Sequence, residues 1–209
     1  EYPFNEGRLV SSAGLDIETR DYDAYFAESH EQRSHALHTT QRGATMFCGP
    51  LARMALNFDR LPPLALEAAA RAGIDPSCRN PFKSLLARGV ETVFALDEAI
   101  RVVEHYQAPA RSFVPPVWRA ATGFGATEAP RGLLYHRYTL KEDGTIADAK
   151  IVPPTSQNQR VIEEDLYRMG KMLADLPKNE AKKRAEQAVR NYDPCISCAT
   201  HFLDLRIER

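Results

Sequence analysis

The sequence predicts a mainly α (α+β) fold, a helical assembly carrying one small antiparallel β-hairpin. Two observations carry this expectation. Apolar residues recur at three- and four-residue steps over several long segments, and the period changes to strict alternation only within residues 132–152. A third observation sets the scale: 209 residues, 44% of them hydrophobic, can bury the core of one domain or of a large piece of a bigger one.

Residues 1–20 are polar with scattered apolar positions, and residues 21–38 carry aromatics and histidines in a pattern that leaves strand and helix both open. An apolar stretch at 43–56 is broken by Gly49-Pro50, and a helix is expected over 50–58. Pro62-Pro63 opens an alanine-rich helix that Gly73 ends, in the usual order of proline first and glycine last. The longest helix is expected over 81–106, capped by Asn80. Its Leu85, Leu86, Gly89, Val93, Leu96, Ile100 and Val103 share one face, which is expected to pack against other helices. A proline-rich loop follows at 109–116. In 132–152 two alternating runs flank "KEDG", whose Asp-Gly is a strong turn signal, so a hairpin is expected. After "VPPTSQNQ", helices are expected over 160–176, with Ile162, Leu166, Met169 and Leu173 in register, and over the highly charged 179–191, which delivers the C-terminal segment.

Composition excludes several partner classes. Lys plus Arg (27) nearly cancels Asp plus Glu (28), so there is no basic field to draw nucleic acid or an acidic membrane surface. No apolar run approaches the roughly 18 to 20 residues of a membrane span. The N-terminus also lacks a signal-peptide pattern, so the expected compartment is cytoplasmic. Four cysteines are too few for a disulfide scaffold. Cys48 and Cys78 stand singly and read as small incidental thiols.

The pair Cys195 and Cys198 is different. A C-x-x-C spacing lets both sulfurs point at one metal, and thiolates select soft or borderline transition metals. A thioredoxin-like redox pair needs a βαβ setting, whereas this pair follows a charged helix near the end of the chain. A structural zinc site needs four ligands, and Cys195, Cys198 and His201 make three.

The surrounding string "DPCISCATH" resembles the C-terminal signature Asp-Pro-Cys-x-x-Cys-x-x-His of the large, catalytic subunit of nickel-iron hydrogenases. "NPFKSLLAR", "GFGATEAPRGLLYH" and "IVPPTSQNQ" agree in the family's order, and "GPLARM" at 49–54 adds weaker support. The wording of the last two long motifs is nearest the cytoplasmic branch, whose complexes couple dihydrogen to NAD(P) or sulfur compounds through additional subunits. The resemblance therefore implies the helical bundle of a nickel-iron hydrogenase large subunit, with 1–209 as its C-terminal portion.

It also implies a set of roles. Cys195 would be a terminal thiolate on nickel and Cys198 would bridge nickel and iron, with a second C-x-x-C supplying the other two sulfurs around an iron that carries cyanide and carbon monoxide. Heterolysis of dihydrogen would use the metals together with a base, either a sulfur such as that of Cys195 or a charged neighbour. Arg131 would hang over the open face of the metals beside Asp193, Pro130 would shape the same canopy, and Thr155 would hydrogen-bond a cyanide. His201 and the backbone carbonyl of Ile151 would hold a magnesium ion. Taken singly, Arg131 reads as a surface arginine, Asp193 as a cap or turn residue before Pro194, and Thr155 as a loop hydroxyl. Glu128 and His136 flank the loop as outer groups or as structural ones.

Partners implied by the resemblance are an iron-sulfur small subunit, diaphorase-type NAD(P) subunits, and a maturation chaperone and endoprotease. The chain departs from the family in two ways. The N-terminal Arg-x-Cys-Gly-x-Cys stretch is absent, and the chain begins at Glu1; it is therefore expected to be completed by an N-terminal half, either a separate polypeptide or a missing segment. After His201 the residues "FLDLRIER" look like an uncleaved maturation tail at 202–209. The rival expectation is a non-catalytic hydrogenase-like subunit or an unprocessed precursor lacking nickel. A quinone-binding respiratory subunit is a third, which the retained cysteines oppose.

Overall fold

The computed structural model describes residues 2–199. Near the N-terminus two short strands, β1 (Leu9–Val10) and β2 (Asp16–Ile17), pair antiparallel, and one helical turn, α1 (Tyr22–Tyr25), leads into the next hairpin. There β3 (Phe26–His30) pairs antiparallel with β4 (Leu37–Gln41), from Phe26 opposite Gln41 to His30 opposite Leu37. This is the segment whose type the sequence left open. The reason is visible in what β4 buries: His38 and Thr39, both polar, so no apolar alternation marks it.

Helices α2 (Pro50–Asn57), α3 (Pro63–Ala72) and α4 (Ser84–Glu104) form the first core. Pro63 sits in the first turn of α3, and Gly73 ends that helix in the left-handed conformation at φ 62°. The expected start of the long helix is a 3-10 turn over Pro81–Lys83, where the Asn80 side chain accepts a hydrogen bond from the Phe82 N–H at 3.0 Å. Leu51, Met54, Leu61, Ala65, Ala69, Ala87, Val90 and Phe94 fill the core, with Tyr2 against Phe94. Among the described residues α4 packs on a different face from the expected one. The buried positions are Ser84, Ala87, Val90 and Phe94, while Leu85 is 64% and Val103 is 75% exposed. The alanines of α3 admit a neighbour that presents small residues, and this turns the larger aliphatics of α4 outward.

The second core lies under a three-stranded antiparallel sheet of order β5 (Ala121–Ala129), β6 (Gly132–Leu140), β7 (Ile146–Val152). The β6–β7 hairpin is the expected one, with Gly144 at φ 81° in its turn. β5 is an addition: Gly123 and Gly125 interrupt its side-chain alternation and disguise it as a loop. Tyr135 and Val152 from this sheet pack with Tyr22 and Phe26, the rings of Tyr22 and Tyr135 being stacked at 4.0 Å.

The helix expected from 160 begins six residues earlier, as α5 (Pro154–Ala174). Its first turns bury Thr155, Ser156, Gln157 and Asn158, four polar residues that no apolar periodicity announces. α6 (Lys178–Arg190) and a last turn, α7 (Ile196–Ala199), complete the described chain. None of the helices among the described residues is long and apolar enough to cross a membrane.

The tightest backbone approach joins the β5–β6 turn to the residues before α2. A Cβ on Gly132 (φ 137°) would overlap the Cys48 sulfur, and one on Gly49 (φ 115°) would meet the Arg131 carbonyl oxygen at 2.8 Å. Gly132→Ala is expected to cost about 2–4 kcal/mol from combined overpacking and backbone strain. Gly89→Ala, in an open stretch of α4, should instead stabilise by roughly 1 kcal/mol. Urea midpoints of the two variants check both signs.

Candidate metal centre

The site is assembled around the start of α5, where each of four consecutive side chains bonds a different segment. The Thr155 hydroxyl accepts the Cys195 N–H at 3.0 Å. Ser156 lies 3.2 Å from the Thr39 hydroxyl and donates to the Pro153 carbonyl at 2.9 Å. Gln157 donates to the carbonyls of Leu133 and Val152. Asn158 accepts the Cys48 N–H at 2.9 Å and donates to the Cys48 carbonyl at 3.0 Å and the Arg131 carbonyl at 3.4 Å. The C-terminal cysteines, the β5–β6 turn and the segment before α2 are thus tied to one helix end.

Above that end, Arg131 and Asp193 meet. The Arg131 Nε–H donates to the Asp193 carbonyl at 2.5 Å and lies 3.1 Å from its Oδ2. Arg88 of α4 approaches the same carboxylate at 3.7 Å. Asp193 adopts φ 48°, a left-handed conformation that Asp tolerates better than most residues, and this turns the chain from α6 into the cysteine segment. Tyr192, just before it, donates its hydroxyl to Asp165 of α5 at 2.5 Å and so fixes the same turn from below.

Cys195 and Cys198 follow at once, their Cα atoms 5.4 Å apart. The spacing predicts reduced thiolates; in the structure the two are joined in a disulfide. The i, i+3 spacing across the turn of α7 brings both sulfurs to one spot. Such a pair shares a metal when reduced and bonds to itself when oxidised. Pro130 lies in the β5–β6 turn beside Arg131, and Ile151 is half-exposed on β7 opposite His136. His201 and the tail at 202–209 lie outside the described residues. His136 Nδ1 is 3.0 Å from the Tyr138 hydroxyl, on the sheet.

Three residues with clear roles in this geometry went unassigned from sequence: Arg88, Asn158 and Arg53. Arg53 of α2 is 5% exposed and pairs with Glu91 and Glu128, both at 2.7 Å. Burial works against its charge, yet the hydrogen bonds and charges of the two carboxylates outweigh that and hold it above the ordinary arginine value. Burial raises the Glu128 carboxyl, against the pull of Arg53. The only sequence cue to Arg53 was its place inside "GPLARM".

Two soft sulfurs on a short turn suit a transition metal, but two donors alone do not complete a four-coordinate site. Among the described residues no three His, Cys, Asp or Glu side chains converge on one metal position. Cys48 is buried under the turn with its thiol pushed up to about 12 by burial, which suits a packing role rather than a thiolate ligand.

The neutral Cys48 thiol stabilises the fold fully below the ordinary thiol value of 9.0, and this contribution is lost as pH rises toward about 12. In native protein at pH 8, Cys48 is expected to resist iodoacetamide until the chain unfolds, and Cys195 and Cys198 to react only after reduction. Peptide mass spectrometry of alkylated samples checks both.

A family model described as nickel-dependent hydrogenase matches residues 16–201. The chain is 31% identical over 200 residues to "Sulfhydrogenase 1 subunit alpha" of Pyrococcus furiosus, covering 94% of this chain and 46% of that protein. To "NAD-reducing hydrogenase HoxS subunit beta" of Cupriavidus necator it is 30% identical, covering 90% and 41%. A crystal structure of an NAD+-reducing [NiFe]-hydrogenase in the H2-reduced state superposes with a TM-score of 0.75 at 26% identity, over 95% of this chain and 48% of that one. The chain thus spans a little under half the length of these relatives. The two-core α+β fold, the cysteine turn and the family match agree: this chain belongs to the nickel-dependent hydrogenase family.

Proposed function

We propose that the chain is the C-terminal portion of the large subunit of a nickel-iron hydrogenase, supplying one terminal and one bridging cysteine to the metal centre. The observation that carries this reading is the convergence of Cys195 and Cys198 beside the Arg131–Asp193 pair and the Thr155 hydroxyl. The names of the relatives support it, and so does the share of their length that the chain covers. The remaining two thiolates then come from the N-terminal half of such a subunit, present as a separate chain or as a further segment. The exposed aliphatic stripe of α4, with Leu85, Leu96, Ile100 and Val103, is a surface suited to that half.

When bound, a nickel-iron centre with cyanide and carbon monoxide ligands supplies the heterolytic splitting of dihydrogen. The chain's own residues orient and deprotonate. Cys195 and Cys198, once reduced, would hold the metals from the α7 turn, and the Cys195 sulfur would be a candidate proton acceptor. Arg131 would present its guanidinium to such a centre while its Nε pairs with Asp193, which keeps the carboxylate charge partnered. Pro130 stiffens the turn that carries Arg131. Thr155 orients the cysteine segment through the Cys195 N–H, and its hydroxyl would be the donor to a cyanide of the iron. His201, with the Ile151 carbonyl, would bind magnesium. Electrons leave through an iron-sulfur small subunit in a cytoplasmic complex, toward an NAD(P)-linked diaphorase or a sulfur acceptor.

Protein purified anaerobically with its companion subunits is expected to contain nickel and iron in near-equal amounts, with cyanide and carbon monoxide stretches in the infrared. Loss of both metals from well-folded wild-type protein would mean instead a non-catalytic or precursor role. Cys195→Ser or Cys198→Ser should abolish nickel retention and hydrogen uptake while the far-ultraviolet circular dichroism of the helices is unchanged. Full activity in either variant refutes the ligand assignment.

A further inference from the structure

We infer that Arg53 is a positioning residue for Arg131, holding the β5–β6 turn by its backbone so that the Arg131 side chain leaves it in one direction. The inference rests on the reading of Arg131 given above and adds a residue to it.

Arg53 spends every N–H it has. Its Nε–H and one terminal N–H donate to the two oxygens of Glu91 at 2.7 Å each. The remaining three go to Glu128 Oε2 at 2.7 Å, the Ala129 carbonyl at 2.9 Å and the Pro130 carbonyl at 3.0 Å. Asn158 reaches the next carbonyl, that of Arg131, from the opposite side. Three successive carbonyls are therefore gripped, two by Arg53 and one by Asn158, in a turn already pressed against Gly49 and Cys48.

The chemistry is specific to arginine. Its planar fork places five donors in fixed directions, so one buried group can satisfy two carboxylates on different elements and still reach two carbonyls. A lysine retains the charge but has three donors on a single nitrogen and must drop at least two of these five bonds. The cluster also explains why the anchor stays in place. Glu91 is fixed by the Tyr2 hydroxyl at 2.7 Å, and Glu128 by its position in β5, so the guanidinium lies between two held carboxylates.

The test uses the purified hydrogenase complex with Arg53→Lys, Arg131→Lys and the double substitution. Activity is expressed per bound nickel, and amide exchange is followed by mass spectrometry. Arg53→Lys is expected to speed exchange selectively in peptides covering 128–134 and to lower hydrogen uptake roughly tenfold, with the double variant no worse than Arg131→Lys alone. Losses that multiply in the double variant, or unchanged exchange in that peptide, overturn the positioning role. If Arg131→Lys alone keeps full activity, the reading of Arg131 fails separately, and the exchange result still decides whether Arg53 holds the turn. Should Arg53→Lys not fold, Glu128→Gln, which keeps the shape of the cluster, is expected to give the same local rise in exchange; no rise there counts against the proposal.

Discussion

Four adjacent polar side chains buried at the start of α5 are the constraint on which the rest of this molecule depends. A buried hydroxyl or amide without a partner costs on the order of 1–3 kcal/mol, so each of these side chains has to find one. Thr155 finds the cysteine segment, Ser156 the β3–β4 hairpin, Gln157 the sheet, and Asn158 both the Cys48 backbone and the arginine turn. Apolar contacts alone could let these pieces slide past one another, whereas directional bonds to named backbone atoms set their relative position. The site residues come from segments more than 60 positions apart in sequence, as Arg131 and Asp193 are, and this helix end is where they are brought into one frame.

The two arginine clusters of the site differ in kind for a physical reason. Arg131 and Asp193 are each more than a third exposed, where an ion pair contributes about 0–1 kcal/mol and cannot be relied on to hold itself. Arg53 is buried, so its pairing is obligatory: removing one partner would strand a charge at a cost of several kcal/mol. The rigid cluster grips the turn that carries Arg131, so the outer pair does not have to build the structure that supports it.

Apolar periodicity was enough to read α2, α3, α4 and the β6–β7 hairpin, because their turns and caps are local and chemical: Asn80 before α4, Gly73 after α3, Asp143-Gly144 between strands. It missed β4 and the beginning of α5 because both bury polar residues whose partners are over 100 positions away, such as Thr39 with Ser156. The aliphatic stripe of α4 stays exposed among the described residues, since apolar spacing says that a face exists and not which side the available neighbours occupy. The candidate residues Arg131, Asp193, Thr155 and Cys195 could be named through their motifs and lie together. Arg53, Arg88 and Asn158 could not, because a bare arginine or asparagine carries no sign of whether it will be buried.

The cysteine turn is built by its neighbours more than by its own two sulfurs. Two sulfurs three residues apart on a helical turn are near enough to share one metal and equally near enough to bond each other. A tetrahedral or bridged centre needs further donors, and the described residues bring no third ligand to the pair. The fold instead makes the pair ready: Thr155 fixes its first amide, Asp193 bends the chain into it, and Tyr192 pins the bend to α5. Preorganisation of this kind lowers the ordering cost of bringing the two sulfurs together, so their redox state is the variable that separates a crosslinked turn from a pair of free thiols.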